Sequence, residues 1–141
     1  MRTAAMFLLA LPAAMADTNQ ATVLERHTAE CIAALEVKAD DLAVQVKAGQ
    51  APLRDALMTT LELGAAFIGN AYLQGERDEA RMQALRTGSL ESQKSLSDAD
   101  LAARQSACAR EGAQLLSQAD FIGRIVVSQL AQRRLRKLLG E

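Results

Sequence analysis

Aromatic residues are scarce in this 141-residue chain, which has no tryptophan, one tyrosine and three phenylalanines. Strands favour aromatic and β-branched residues, whereas alanine and leucine favour helices. Alanine alone accounts for 28 residues. The composition therefore predicts an all-α domain, a small helical bundle, and argues against a sheet.

The residues of the common catalytic centres are equally scarce. The only histidine is His27, so a Ser-His-Asp or Cys-His centre would have to use it. No serine lies in a Gly-x-Ser-x-Gly context, and no glycine-rich phosphate loop or Cys-x-x-Cys-His sequence is present. Asp40 and Asp41 are adjacent, so their side chains diverge on a helix. We therefore predict a protein that is not an enzyme and that carries no cofactor.

The first sixteen residues have the layout of a secretory signal peptide. Arg2 supplies a positive charge, residues 4–11 form an apolar run, and Pro12 ends that run. The run is too short to cross a bilayer as a helix. Ala14 and Ala16 then place small residues at the −3 and −1 positions of a cleavage site. The pattern predicts export, to the periplasm or to the outside of the cell.

We expect cleavage to remove residues 1–16 and to leave residues 17–141 as a single helical domain. This mature chain has fifteen basic and seventeen acidic side chains, which gives no reason to expect nucleic-acid binding. The balance is uneven, because residues 124–141 hold five basic side chains and one acidic side chain. These cations complement a helix C-terminus or form a basic docking extension.

Hydrophobic periodicity predicts four helices, of which the last is long. Gly49 and Gly75 suit the ends of the first two helices, and Pro52 suits the first turn of the second. Residues 89–96 are polar and are predicted to form a loop. The predicted helices run from about Thr18 to Ala48, Ala51 to Gln74, Glu76 to Gly88, and Ser97 to Leu139.

The two cysteines, Cys31 and Cys108, each lie in the middle of the apolar face of a predicted helix. An oxidising compartment favours a disulfide between them, which would join the first helix to the fourth. Buried free thiols are one alternative. A metal site is another, because His27 lies four residues before Cys31 on the same helix. A non-covalent haem bound by His27 and by Met58 or Met82 is a less favoured variant.

The predicted fourth helix extends well beyond the first. If the two are antiparallel and joined at the cysteines, the segment after Phe121 has no first helix beside it. Its two apolar faces need cover, unless this helix end is frayed. The cover could be the rest of the chain after a bend at Gly123, a second subunit, a partner protein or a membrane surface. The candidate interface consists of Phe121, Ile125, Val126, Leu130, Arg133, Arg134 and Lys137.

These patterns predict an exported, non-enzymatic binding or interaction module. A protein partner or self-association through the C-terminal helix is favoured over contact with a membrane surface. The alternative is a ligand- or metal-binding bundle that uses His27 with Cys31 and Cys108.

Overall fold

The computed structural model describes residues 21–141, and the predicted signal peptide lies outside this range. The described residues form five α-helices and one 3₁₀ turn, with no strand. The all-α bundle is therefore confirmed, but it has five helices where the sequence predicts four. The helices are α1 (Val23–Lys47), α2 (Arg54–Leu73), α3 (Glu79–Gln93), α4 (Asp98–Gln118) and α5 (Phe121–Leu139), with the 3₁₀ turn at Ala51–Leu53.

Helices α1 and α2 form an antiparallel pair to which the other helices attach. The hydroxyl of Thr22 caps α1 by accepting a hydrogen bond from the Glu25 amide at 3.1 Å. Gly49, with φ of 107°, lets the chain turn towards α2 in a conformation that side chains disfavour. Small residues on α2 allow close approach, and a Cβ built on Gly64 would lie 3.9 Å from that of Leu35.

Helix α3 is longer than the sequence predicts, because the segment expected as a loop from residue 89 continues the helix to Gln93. The side chain of Gln93 is buried, and its Nε2 donates a hydrogen bond to the carbonyl oxygen of Glu30 at 3.0 Å. This hydrogen bond holds the polar end of α3 against α1. The hydrophobic pattern of the sequence cannot predict such a contact.

The prediction of one helix from Ser97 to Leu139 is wrong. The chain breaks between α4 and α5, where the carboxylate of Asp120 caps α5 by accepting a hydrogen bond from the Gly123 amide at 2.6 Å. The Arg124 side chain donates hydrogen bonds to two carbonyl oxygens at the end of α4. The bend therefore lies at Asp120 rather than at Gly123.

Helix α5 folds back antiparallel to α2, so the chain itself covers one of its two apolar faces. Val127, Ala131 and Leu135 are buried there, and a Cβ on Gly69 of α2 would lie 3.9 Å from Val127 Cγ2. Helix α5 begins after a break in the chain, at the Asp120 cap. The side of α5 that faces the core is therefore not the side that a continuous helix would present. Ile122 and Val126, which lie on the same apolar face as Leu115 in the sequence pattern, are therefore 70% and 45% exposed.

Two apolar clusters make up the core. The first contains the Cys31–Cys108 disulfide, which confirms the predicted bridge and joins Cα atoms 5.2 Å apart. The second lies towards the other end of the α1–α2 pair and includes Leu57 and Leu135. None of the helices in residues 21–141 has the length and hydropathy needed to span a bilayer.

Candidate functional site

Large hydrophobic side chains are exposed mainly at one end of the bundle. In the described residues there are ten of them, and Val44 is the one that lies elsewhere. Because α1 and α5 both run antiparallel to α2, their N-termini meet the C-terminus of α2. The other nine side chains form this surface, here called the apolar end: Val23, Leu24, Ile68, Tyr72, Leu73, Phe121, Ile122, Ile125 and Val126.

The exposure of these side chains is high. Leu73, Phe121 and Ile122 are 80%, 78% and 70% exposed. A single exposed hydrophobic residue is ordinary, whereas a concentration of several marks a surface that contacts something else. The apolar end is therefore the main candidate for a binding surface.

The candidate interface predicted from sequence is only partly brought together. Phe121, Ile125 and Val126 lie at the apolar end. Leu130 is half-buried, and Arg134 is held by an ion pair to Glu36 at 3.3 Å. The remaining two predicted residues, Arg133 and Lys137, are exposed nearer the other end of α5.

Sequence reasoning missed the part of the apolar end that α1 and α2 supply. Leu24 and Ile68 match the hydrophobic period of their helices, so the sequence predicts them on the core face, yet they are 54% and 48% exposed. Tyr72 and Leu73 are the last two residues of α2, and nothing in the local sequence indicates whether they are exposed or buried. Exposure at a helix end depends on which neighbours reach it, and periodicity within one helix does not report that.

A groove between α3 and α5 is floored by α1 and α2. It consists of two adjacent cavities of about 230 and 410 Å³, which share Ile32, Ile68 and Arg86 as lining residues. The carboxylate of Glu36 lies in the groove wall and accepts hydrogen bonds from Arg86 at 2.7 and 2.9 Å and from Arg134 at 3.3 Å. One carboxylate thus ties α1 to α3 and to α5, so these arginines brace the fold.

A second carboxyl group in the groove has a raised pKa. Burial is the main cause of the increase in the pKa of Asp40, and the nearby Glu36 carboxylate adds to it. Arg134 and Arg86 act in the opposite direction. The first cavity thus holds two carboxyl groups and two arginines. The second cavity adds three acidic side chains against Arg77, so the lining of the whole groove is slightly acidic.

The disulfide lies beneath a histidine and a glutamate. His27 Nε2 is 2.6 Å from a carboxylate oxygen of Glu111 and 3.8 Å from Cys31 Sγ. The residues Cys31 and Cys108 are 1% and 3% exposed, whereas the side chains of His27 and Glu111 are 46% and 40% exposed. In this oxidised chain the predicted site of His27, Cys31 and Cys108 has no thiolate to offer a metal, because both sulfurs are in the disulfide.

The haem variant gains no support from the two methionines. Met58 packs against the second cluster and Met82 lines the groove, while His27 faces Glu111.

Comparison with protein-family models, with curated proteins and with solved structures finds no match to this chain.

Proposed function

We propose that this chain is an exported, non-enzymatic interaction module that binds another protein through its apolar end. The observation that carries the proposal is the gathering of nine of the ten exposed large hydrophobic side chains at that end. Burying one such side chain is worth roughly 1.5–3 kcal/mol relative to leaving it exposed. A partner that covers most of them therefore gains free energy that can offset the roughly 4–15 kcal/mol cost of association.

The polar residues around the apolar end favour a protein as the partner. The charged side chains at this end show no excess of cations, with Glu76, Asp78, Glu79 and Asp120 against Arg26, Arg77 and Arg124. Nucleic acids and anionic membranes both select for clustered cations instead. The guanidinium of Arg77 lies over the ring of Tyr72, 3.5 Å from its centroid. Tyrosine and arginine are enriched in the centres of protein interfaces.

Two features support export. The disulfide is of a kind that persists in oxidising compartments. The predicted signal peptide, residues 1–16, gives the route. The periplasm or the cell exterior is therefore the place in which the partner is to be sought.

The proposal is tested by site-specific photo-crosslinking in the native host. A photoreactive side chain is placed at Ile122 in the apolar end and, as the matched control, at exposed Ser106 on α4. We expect a cross-linked product of one defined mass from position 122 and none from position 106. A product of twice the chain's own mass would identify a second copy as the partner. No product from position 122, or the same products from both positions, would contradict the proposal.

A further inference from the structure

Four potential metal ligands converge where α1 meets α4. Each helix supplies a pair, with His27 and Cys31 four residues apart on α1 and with Cys108 and Glu111 three residues apart on α4. Both spacings place side chains on one face of a helix. The ligand atoms of His27, Cys31 and Glu111 lie within 4.8 Å of one another, and Cys108 is bonded to Cys31.

We propose that reduction of the disulfide converts this cluster into a four-coordinate zinc site ligated by Cys31, Cys108, His27 and Glu111. Zinc prefers thiolate, imidazole and carboxylate ligands in a tetrahedron. With zinc–ligand bonds of about 2.0–2.3 Å, neighbouring ligand atoms are separated by roughly 3.3–3.8 Å. The distance of 3.8 Å between Cys31 Sγ and His27 Nε2 already meets that condition.

The His27–Glu111 pair needs only a small expansion to admit the ion. Its two atoms are 2.6 Å apart, which is a hydrogen-bond distance, and zinc would replace the shared proton. Both side chains are nearly half exposed, so an ion reaches the cluster from solvent through them while the sulfurs stay buried beneath. No other group of three such ligand residues is found within residues 21–141.

A dithiol can reduce the disulfide and so prepare the zinc site. The dithiol gives two electrons and two protons to the Cys31–Cys108 bond, which breaks into two thiols, and the dithiol itself becomes a disulfide. Zinc then displaces one proton from each thiol and the proton between His27 Nε2 and Glu111, and the displaced protons pass to solvent. The oxidised chain has a cross-link at this place, and the reduced chain has a metal cross-link between the same two helices.

The test compares zinc binding by the oxidised and the reduced forms of the full chain. Purified protein is reduced with a dithiol in denaturant, freed of reductant without oxygen, and refolded with or without Zn²⁺. We expect one zinc per reduced chain and none per oxidised chain, with Co²⁺ giving the absorption bands of a tetrahedral thiolate site. If the reduced chain is unfolded without metal, we expect zinc to restore its helical circular dichroism.

Single substitutions then assign the ligands. We expect His27→Gln and Glu111→Gln each to weaken zinc binding by the reduced chain about tenfold or more. The control Glu91→Gln removes an exposed carboxylate that pairs with Lys94 in its own turn, and it should leave the zinc affinity unchanged. The proposal fails if the reduced chain binds no zinc. It also fails if Glu111→Gln binds zinc as tightly as the control.

Discussion

Helices α4 and α5 follow each other in the chain, yet they are attached to the α1–α2 pair in different ways. Helix α4 is joined by the Cys31–Cys108 disulfide and by a close approach at Gly112. Helix α5 is held by non-covalent contacts of its buried residues and, at its end, by the ion pair of Arg54 with Glu141. Of the ten exposed large hydrophobic residues, α5 carries four and α4 carries none.

Helix α4 therefore contributes hydrophobic side chains to the core alone, whereas α5 contributes them both to the core and to an exposed surface. On α4 no large hydrophobic side chain is exposed, and Cys108, Ala109 and Leu115 pack in the first cluster. On α5 some apolar side chains are buried in the core and others are exposed to solvent. The adjacent residues Val126 and Val127 show this difference. Val127 is 5% exposed and Val126 is 45% exposed. Identical side chains at adjacent positions thus offer a matched test of the two roles.

Loss of the disulfide should have the largest effect on stability. The bridge closes a loop between residues 77 positions apart in the sequence. In the chain-entropy model such a loop stabilises the fold by about 4 kcal/mol. We expect the double substitution Cys31→Ala with Cys108→Ala to lower the free energy of unfolding by roughly that amount in urea denaturation. A change below about 1 kcal/mol would show that α4 is held mainly by packing.

A charge on the inner face of α5 should cost slightly less. We expect Val127→Asp to lower the free energy of unfolding by about 3 kcal/mol, because it buries a carboxylate with no partner. Gln129→Asp, at an exposed position on the same helix, is the control and should change it by less than about 0.5 kcal/mol. Equal stability of the two variants would mean that α5 does not pack on α2.

The close approach of α4 is tested at Gly112. A Cβ there would lie 2.9 Å from the carbonyl oxygen of Leu63 and 3.2 Å from Phe67 Cε2. We expect Gly112→Ala to destabilise the fold by about 1–3 kcal/mol in the same denaturation assay. Gly88, which has nothing within 4 Å of its Cβ position, is the matched control. Gly88→Ala should be neutral or stabilise the fold by up to about 1 kcal/mol, since alanine favours the helix.

The end of α5 should give the smallest effect, and one that depends on pH. The hydrogen bond from Arg54, aided by its charge, holds the pKa of the Glu141 carboxyl below its usual range. A lowered pKa in the folded state stabilises the fold at pH values above the pKa of the unfolded chain, and this is lost as the pH falls through the folded value. We expect Glu141→Gln to lower the melting temperature slightly at pH 7. The difference should vanish in acid, and a constant difference would contradict this assignment.

Much of the fold can be predicted from the sequence. The disulfide follows from two cysteines on apolar faces, and the turn at Gly49 follows from a residue that tolerates a positive φ. The break at Asp120 does not, because aspartate is compatible with a helix interior. It becomes a cap here only when α5 packs back on α2 and Arg124 reaches the end of α4.

The candidate site is harder to predict for the same reason. The hydrophobic period identifies apolar faces within each helix, but Ile68 and Val126 are exposed because of where other helices end. Glu111 carries no signal by itself. Its place beside His27 depends on the register that the disulfide sets between α1 and α4.

The central claim is that the apolar end, and the exposed residues of α5 within it, bind a partner. Its most direct test is photo-crosslinking from position 122 in a Val126→Asp background. The claim predicts that the cross-linked product is lost while the free energy of unfolding stays within about 0.5 kcal/mol of the unsubstituted chain. With Gln129→Asp as the background, the product should remain. An undiminished product in Val126→Asp, or unfolding of that variant, would contradict the claim.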